Sequence, residues 1–135
     1  MADDAKIEEA VRAARDAMER AYAPYSNFRV GAAVVAGGAV HAGQNIEIAS
    51  YPISVCAERN AIAAMVNAGG GRTIEAVAIV TAAERPTPPC GACRQALWEF
   101  GTDAVVVAET TAGDRRRWTL AELLPDAFGP SDLRR

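Results

Sequence analysis

The chain contains one histidine, His41, among 135 residues. That excludes a His-rich metal site and makes any Ser-His-Asp triad depend wholly on a single residue. Cysteine is scarce as well, at three. An odd number cannot close into intramolecular disulfides without a leftover thiol, which argues against a disulfide-stapled secreted domain. No run of about 18 apolar residues occurs, so nothing reads as a membrane span. Basic charge is not in excess either: 14 Lys and Arg against 17 Asp and Glu give a net charge of −3 and a pI near 5.2. That sign is wrong for a nonspecific grip on nucleic-acid phosphates. The acidic opening Met1-Ala2-Asp3-Asp4-Ala5-Lys6 has no apolar stretch behind it, so it does not read as a signal peptide. The expected compartment is the cytoplasm. Gly69-Gly70-Gly71 is not followed by Lys-Ser or Lys-Thr, which sets aside a phosphate loop.

What is present describes an ordinary globule. Half the residues are apolar and 23% are charged. The length suits one domain over residues 1–135, long enough to bury roughly two-thirds of the surface of the unfolded chain. Residues 3–22 read as an amphipathic helix, with Ile7, Val11, Ala14 and Met18 on one stripe. Ala23-Pro24-Tyr25-Ser26-Asn27 breaks it. Val30–Val35 and Ala39–Gly43 form an expected hairpin across Gly37-Gly38. A second helix is expected from Cys56 to about Ala68, with Ile62, Met65 and Val66 on its buried side and the glycines as its stop. Ala76–Val80 and Ala104–Ala108 are continuous apolar runs suited to strands buried on both faces, with a helix from Gly91 to Phe100 between them. Trp118-Thr119-Leu120 reads as a last edge strand before a helical turn at Leu123-Leu124. The basic run Arg115-Arg116-Arg117 reads as a solvated turn or strand edge. Alternating strands and helices give an α/β fold in three layers.

All three cysteines fall where a helix should begin. Cys56 opens Cys56-Ala57-Glu58, while Cys90 and Cys93 lie in Pro89-Cys90-Gly91-Ala92-Cys93. A Cys-x-x-Cys at a loop-to-helix junction aims both sulfurs at one point, and helix N-termini favour thiolates. Three protein ligands leave a coordination position open, as catalytic zinc requires. A redox pair and inert burial are the other readings of these thiols. The redox reading leaves Cys56 without a role and lacks a thioredoxin-like context. Glu58 stands where a side chain reaches the space beside the metal without ligating it, and a carboxylate there can carry protons. Its plainer reading is a helix N-terminal Glu interacting with the dipole.

Cys-x-Glu followed by Pro-Cys-x-x-Cys resembles the zinc nucleobase deaminases. The resemblance to the small homotetrameric cytidine deaminases runs along nearly the whole chain. It is carried by Pro24-Tyr25-Ser26-Asn27-Phe28, Val30-Gly31-Ala32-Ala33, Asn45-Ile46-Glu47, Ala49-Ser50-Tyr51-Pro52, Cys56-Ala57-Glu58-Arg59, Pro89-Cys90-Gly91-Ala92-Cys93-Arg94-Gln95, Glu122-Leu123-Leu124-Pro125 and Phe128-Gly129-Pro130. It implies a three-layer α/β/α cytidine-deaminase-like fold with a mixed five-stranded sheet. It also implies Zn2+ held by Cys56, Cys90 and Cys93, with Glu58 as proton shuttle. Substrate contacts would come from Asn45 and Glu47 at the ribose 3′-hydroxyl and from Phe28 by the pyrimidine, with Ala57 also in the site. Tyr51 and Phe128 match aromatics that the family supplies across subunit boundaries. The implied reaction is hydrolytic deamination of cytidine and 2′-deoxycytidine, as in pyrimidine salvage, by a homotetramer with no nucleic-acid or membrane partner.

A zinc ion with three thiolates carries net negative charge, so something must draw charge off the sulfurs. Besides the helix N-termini, Arg59 and Arg94 are both candidates, and the sequence does not rank them. Ile48 and Arg29 depart from the family's frequent Asn and Pro. They keep open a deaminase of a cytosine-containing antibiotic such as blasticidin S. A non-enzymatic zinc-binding module is the alternative from another class, and it would give Glu58 no role.

Overall fold

The protein is described here by a computed structural model covering residues 2–134. The elements, in chain order, are α1 (Asp4–Met18), β1 (Val30–Ala36), β2 (Ala39–Gln44), α2 (Ala57–Ala68), β3 (Ile74–Thr81), α3 (Gly91–Phe100), β4 (Val105–Thr110), β5 (Arg115–Thr119) and the single turn α4 (Leu120–Leu123). The five strands form one mixed sheet in the order β2-β1-β3-β4-β5. Only β3 and β4 run parallel, the pair that α3 connects.

The strands are apolar on both faces because helices cover both. On one face Val34, Val77, Ile79, Val106 and Ala108 pack against Ala61, Ile62 and Met65 of α2, Leu97 of α3 and Leu120. On the other, Ala33, Val35, Ala78, Val80 and Val107 pack against Ile7, Ala10, Val11, Ala14 and Met18 of α1. This gives the expected three layers. No helix among the described residues is long and apolar enough to cross a membrane.

Two glycines set how closely these layers approach. A Cβ on Gly31 would stand 1.8 Å from the carbonyl oxygen of Ala14, and one on Gly43 would stand 2.4 Å from the peptide nitrogen of Ala61. The hairpin backbone therefore lies directly against α1 on one side and α2 on the other. Its turn is made as expected by Gly37 and Gly38, with φ of 58° and 78°.

Three expectations are corrected. The first helix stops at Met18, not at residue 22, because Tyr22 leaves to pair its backbone with Asn45 and Glu47. Val66 is 39% exposed, one position round the helix from the buried Met65. The last strand starts earlier and takes in the arginine run, while Leu120 begins α4, where a capping box of Thr119 and Glu122 turns the chain. On that edge strand Arg115 bonds Glu8 of α1 and Glu109 of β4, and Arg116 lies 4.9 Å from the Trp118 ring centroid. Two of the three arginines are thus engaged within the chain.

Gly31→Ala should cost about 2–3 kcal/mol, since backbone and not a flexible side chain occupies the space. Gly70→Ala, with nothing within 4 Å, should change stability by less than about 0.5 kcal/mol. Urea unfolding of both variants at one fixed protein concentration checks the contrast.

Candidate active site

Cys56 and Cys90 occupy the N-cap positions of α2 and α3. An N-cap side chain ordinarily accepts a hydrogen bond from the helix it precedes. Neither sulfur does so. They turn toward each other instead, 4.0 Å apart, and all three Sγ atoms lie within 4.8 Å of one another. Cys93, one turn into α3, is fully buried, Cys56 half-buried and Cys90 exposed. Sulfurs on a tetrahedral zinc are about 3.8 Å apart for Zn–S bonds of about 2.3 Å, so the set fits the ion. Among the described residues this is the cluster of His, Cys, Asp or Glu side chains that could hold a metal. His41 stays on β2, outside it.

The thiols share their protons unequally. Cys56 is pulled down to about 5, by hydrogen bonding from Cys93 and then from Arg59, against the opposing effect of burial. Cys93 is pushed up, by its bond to Cys56 and by its own burial. Cys56, at the start of α2, is the sulfur that faces a cation, Arg59 Nη2 at 3.6 Å. Metal binding would displace the remaining thiol protons to solvent.

Glu58 is 5% exposed and has no cation bonded to its carboxylate among the described contacts. Burial raises its pKa to about 7, and the neighbouring Cys56 charge acts in the same direction. It is one wall of a cavity of about 180 Å³ lined also by Phe28, Val30, Asn45, Cys56, Ala57, Ile79, Thr87, Pro88 and Cys90. These residues meet at one end of the sheet, where β1 begins, β2 and β3 end, and α2 and α3 start. A hollow of 510 Å³ at the other end of β3 is lined by Thr73, Glu75, Glu99 and Asp103 and gathers no comparable set.

Asn45 and Glu47 are built into the wall as well as facing it. Asn45 Oδ1 accepts from the Val30 peptide and its Nδ2 donates to the Phe28 carbonyl, both at 2.8 Å. Glu47 accepts from the peptides of Tyr25 and Ser26 and from the Ser26 hydroxyl. The Ser26 hydroxyl bond, together with those peptide bonds, holds the Glu47 carboxyl below the usual carboxylate range. Glu47 lines a second hollow of about 160 Å³ that shares Asn45 and Cys56 with the first.

A sequence profile for the cytidine and deoxycytidylate deaminase zinc-binding region matches residues 4–109. The chain is 43% identical over 129 residues to a cytidine deaminase of Sporosarcina psychrophila, covering 94% of each chain. It is 42% identical over 123 residues to one from Mycobacterium tuberculosis, covering 90% of this chain and 89% of that protein. Among solved structures, a cytidine deaminase from Burkholderia pseudomallei superposes with a TM-score of 0.83 at 46% identity, over 90% of this chain and 98% of the other. The chain belongs to the cytidine and deoxycytidylate deaminase family.

Within that family's fold, the structure separates the two arginines. Arg59 donates to Cys56 Sγ, whereas Arg94 spends Nε on the Pro89 carbonyl at 2.7 Å and Nη1 on the Leu123 carbonyl at 2.8 Å. Arg94 thus braces the loop ahead of Cys90. Arg59 Nε is itself buried without a partner. Arg29 donates to the Glu19 carbonyl and Ile48 is held through its backbone by Ser54, so neither lines the cavity around the thiols. Neither departure from the family pattern lines this pocket.

Tyr51 and Phe128 are not brought to the cavity of their own chain. Tyr51 is 58% exposed and stacks edge-on with Tyr25 at 5.6 Å, while Phe128 is 57% exposed and is fixed through its carbonyl by Gln95. The wall residues Val30, Ile79, Thr87 and Pro88 were not singled out from the sequence. Thr87-Pro88, directly ahead of the cysteine motif, carried a usable signal. Ile79 did not, being one of many apolar strand residues.

Cys93→Ala should lose stoichiometric zinc, and His41→Ala should retain it, as metal analysis of the purified proteins would read. Zinc retained by the cysteine variant would remove Cys93 from the ligand set.

Proposed function

We propose that this chain deaminates cytidine and 2′-deoxycytidine, adding water at C4 and releasing ammonia to leave uridine or 2′-deoxyuridine. The observation that carries the reading is a buried carboxyl, Glu58, in one small cavity with Cys56 and Cys90, two of three converging thiols, in a chain of this family. The relatives it matches along nearly its whole length are named cytidine deaminases and the matching profile is that of a zinc-binding region; zinc-dependent cytidine deamination is the activity of this chain. Cys56, Cys90 and Cys93 would hold the zinc, which supplies the Lewis acidity that makes water nucleophilic near neutral pH.

The chain's own residues do the rest. Glu58 takes a proton from the attacking water and places it on ring N3, so that C4 becomes electrophilic; it then takes the second proton from the hydroxyl now on C4 and passes it to the departing amine. Water and nucleoside enter, nucleoside and ammonia leave, and the carboxyl returns to its starting state. Arg59 draws charge from Cys56 and so keeps the thiolate set from becoming too electron-rich.

The cavity with Phe28 and Ala57 on its walls takes the pyrimidine; the adjoining hollow takes the sugar. Asn45 uses one acceptor and one donor position internally and keeps one of each. The Glu47 carboxylate, with about four lone-pair sites, accepts three internal bonds and keeps one for a ribose hydroxyl. The exposure of Tyr51 and Phe128 supports a homotetramer in which a neighbour's aromatics complete the site. We read the whole chain as one domain working in cytoplasmic pyrimidine salvage.

No observation favours an antibiotic substrate, since Arg29 and Ile48 stand outside the cavity. A zinc-binding module without activity leaves the burial of Glu58 beside the thiols unexplained. Purified protein offered cytidine, deoxycytidine, cytosine and blasticidin S side by side should show the ultraviolet change and ammonia release with the first two. Activity on blasticidin S alone would overturn the substrate. Glu58→Gln should keep its zinc while kcat falls about 10³-fold. Near-normal turnover in that variant would take the proton role away from Glu58.

A further inference from the structure

Ser26 stands in a turn that neither the metal nor the proton transfer uses, yet its hydroxyl joins two parts of the pocket. The Oγ–H donates to Glu47 Oε2. The same oxygen accepts from the Phe28 peptide N–H at 3.0 Å. The Ser26 peptide N–H adds a second bond to the carboxylate, to Oε1 at 3.1 Å. Between Ser26 and Phe28 the chain takes a left-handed step at Asn27, φ 58°, a conformation that Asn tolerates better than most residues. Asn45 then clamps the carbonyl side of Phe28. The Phe28 peptide is therefore held at both ends, and one of those ends runs through Ser26 to the carboxylate.

We propose that Ser26 is a positioning residue for nucleoside recognition, its hydroxyl locking the Glu47 carboxylate and the Phe28 wall into one unit. The inference rests on the reading above that Glu47 meets the sugar. Without the hydroxyl, Glu47 Oε2 loses its donor, the carboxylate is held through Oε1 alone by the Tyr25 and Ser26 peptides and can swing about that point, and the Phe28 N–H loses its acceptor. Two ends of the substrate site that lie 19 residues apart in sequence then cease to be set together. Because the carboxylate is the charged partner, the larger loss falls on binding of the sugar hydroxyl. The proton chemistry at Glu58 is untouched.

The test is steady-state kinetics of the zinc-loaded enzyme with cytidine and with 3′-deoxycytidine. Ser26→Ala should raise KM for cytidine about tenfold and leave kcat within about twofold. The preference for cytidine over 3′-deoxycytidine should fall about tenfold, whereas a turn that is merely loosened would penalise both alike. Ser26→Thr, which keeps the hydroxyl, should restore the preference. In a Glu47→Gln background, Ser26→Ala should add less than about a further twofold, as expected for two groups acting as one. Should Ser26→Ala not fold, Ser26→Cys keeps the size with a weak donor and carries the same comparison. Equal losses on the two substrates, or full additivity with Glu47→Gln, would overturn the proposal. If the wild type deaminates cytidine without preferring the 3′-hydroxyl, this proposal falls together with the assignment of Glu47 to the sugar, while the deamination itself stands. If it does not deaminate cytidine at all, the proposed function falls with it.

Discussion

Two helices that each begin on a cysteine must start within one sulfur–sulfur contact of each other, and most of the fold can be understood as the means of achieving it. The N-termini of α2 and α3 carry partial positive charge, and each offers peptide N–H groups that no capping side chain has claimed. A cluster of thiolates would repel itself anywhere else in an acidic chain. Here the dipoles and Arg59 offset part of that repulsion before any metal arrives. The sheet fixes the distance, because α2 follows β2, α3 follows β3, and only β1 lies between those two strands. Gly43 removes the side chain that would otherwise hold α2 away.

Burial then divides the labour among acidic groups of the same intrinsic chemistry. Glu58 sits where water is scarce and a charged neighbour discourages ionisation, so with a pKa raised to about 7 it can both take up and release a proton near neutrality. Glu47 sits at the rim among peptide donors and stays charged. One carboxyl is suited to exchanging protons and the other to holding a hydroxyl. The difference lies in their surroundings and not in their side chains.

Much of this was legible in the sequence, for reasons that differ from element to element. Continuous valine and alanine runs identified β3 and β4 as strands covered on both faces. Gly37-Gly38 marked the hairpin, because a two-residue turn of that kind needs positive φ twice. The cysteines were legible because their spacing and their place at helix starts are local facts. Long-range partners were not. Which arginine meets a sulfur depends on where Leu123 and Pro89 place their carbonyls, and the sequence shows neither. The bond from Ser26 to Glu47 crosses 21 residues of chain, between a turn and a strand exit. The end of α1 was misplaced because its amphipathic stripe runs on while the backbone of Tyr22 is claimed by a distant segment.

The hairpin squeezed between α1 and α2 has a consequence for how the molecule tolerates change. Gly31 and Gly43 lie at neighbouring positions of the β1–β2 register and face opposite helices. A slip of one residue would drive side chains into the helix backbones where the two glycines now lie, so the strands have one permitted alignment. That alignment is anchored at the pocket end, where Val30 and Asn45 meet. At the far end Gly37 lies against Gly71, while the outer side of Gly38 faces open space. Inserted residues or a fused peptide at that turn can lengthen the hairpin away from the chemistry, leaving the cavity wall in register.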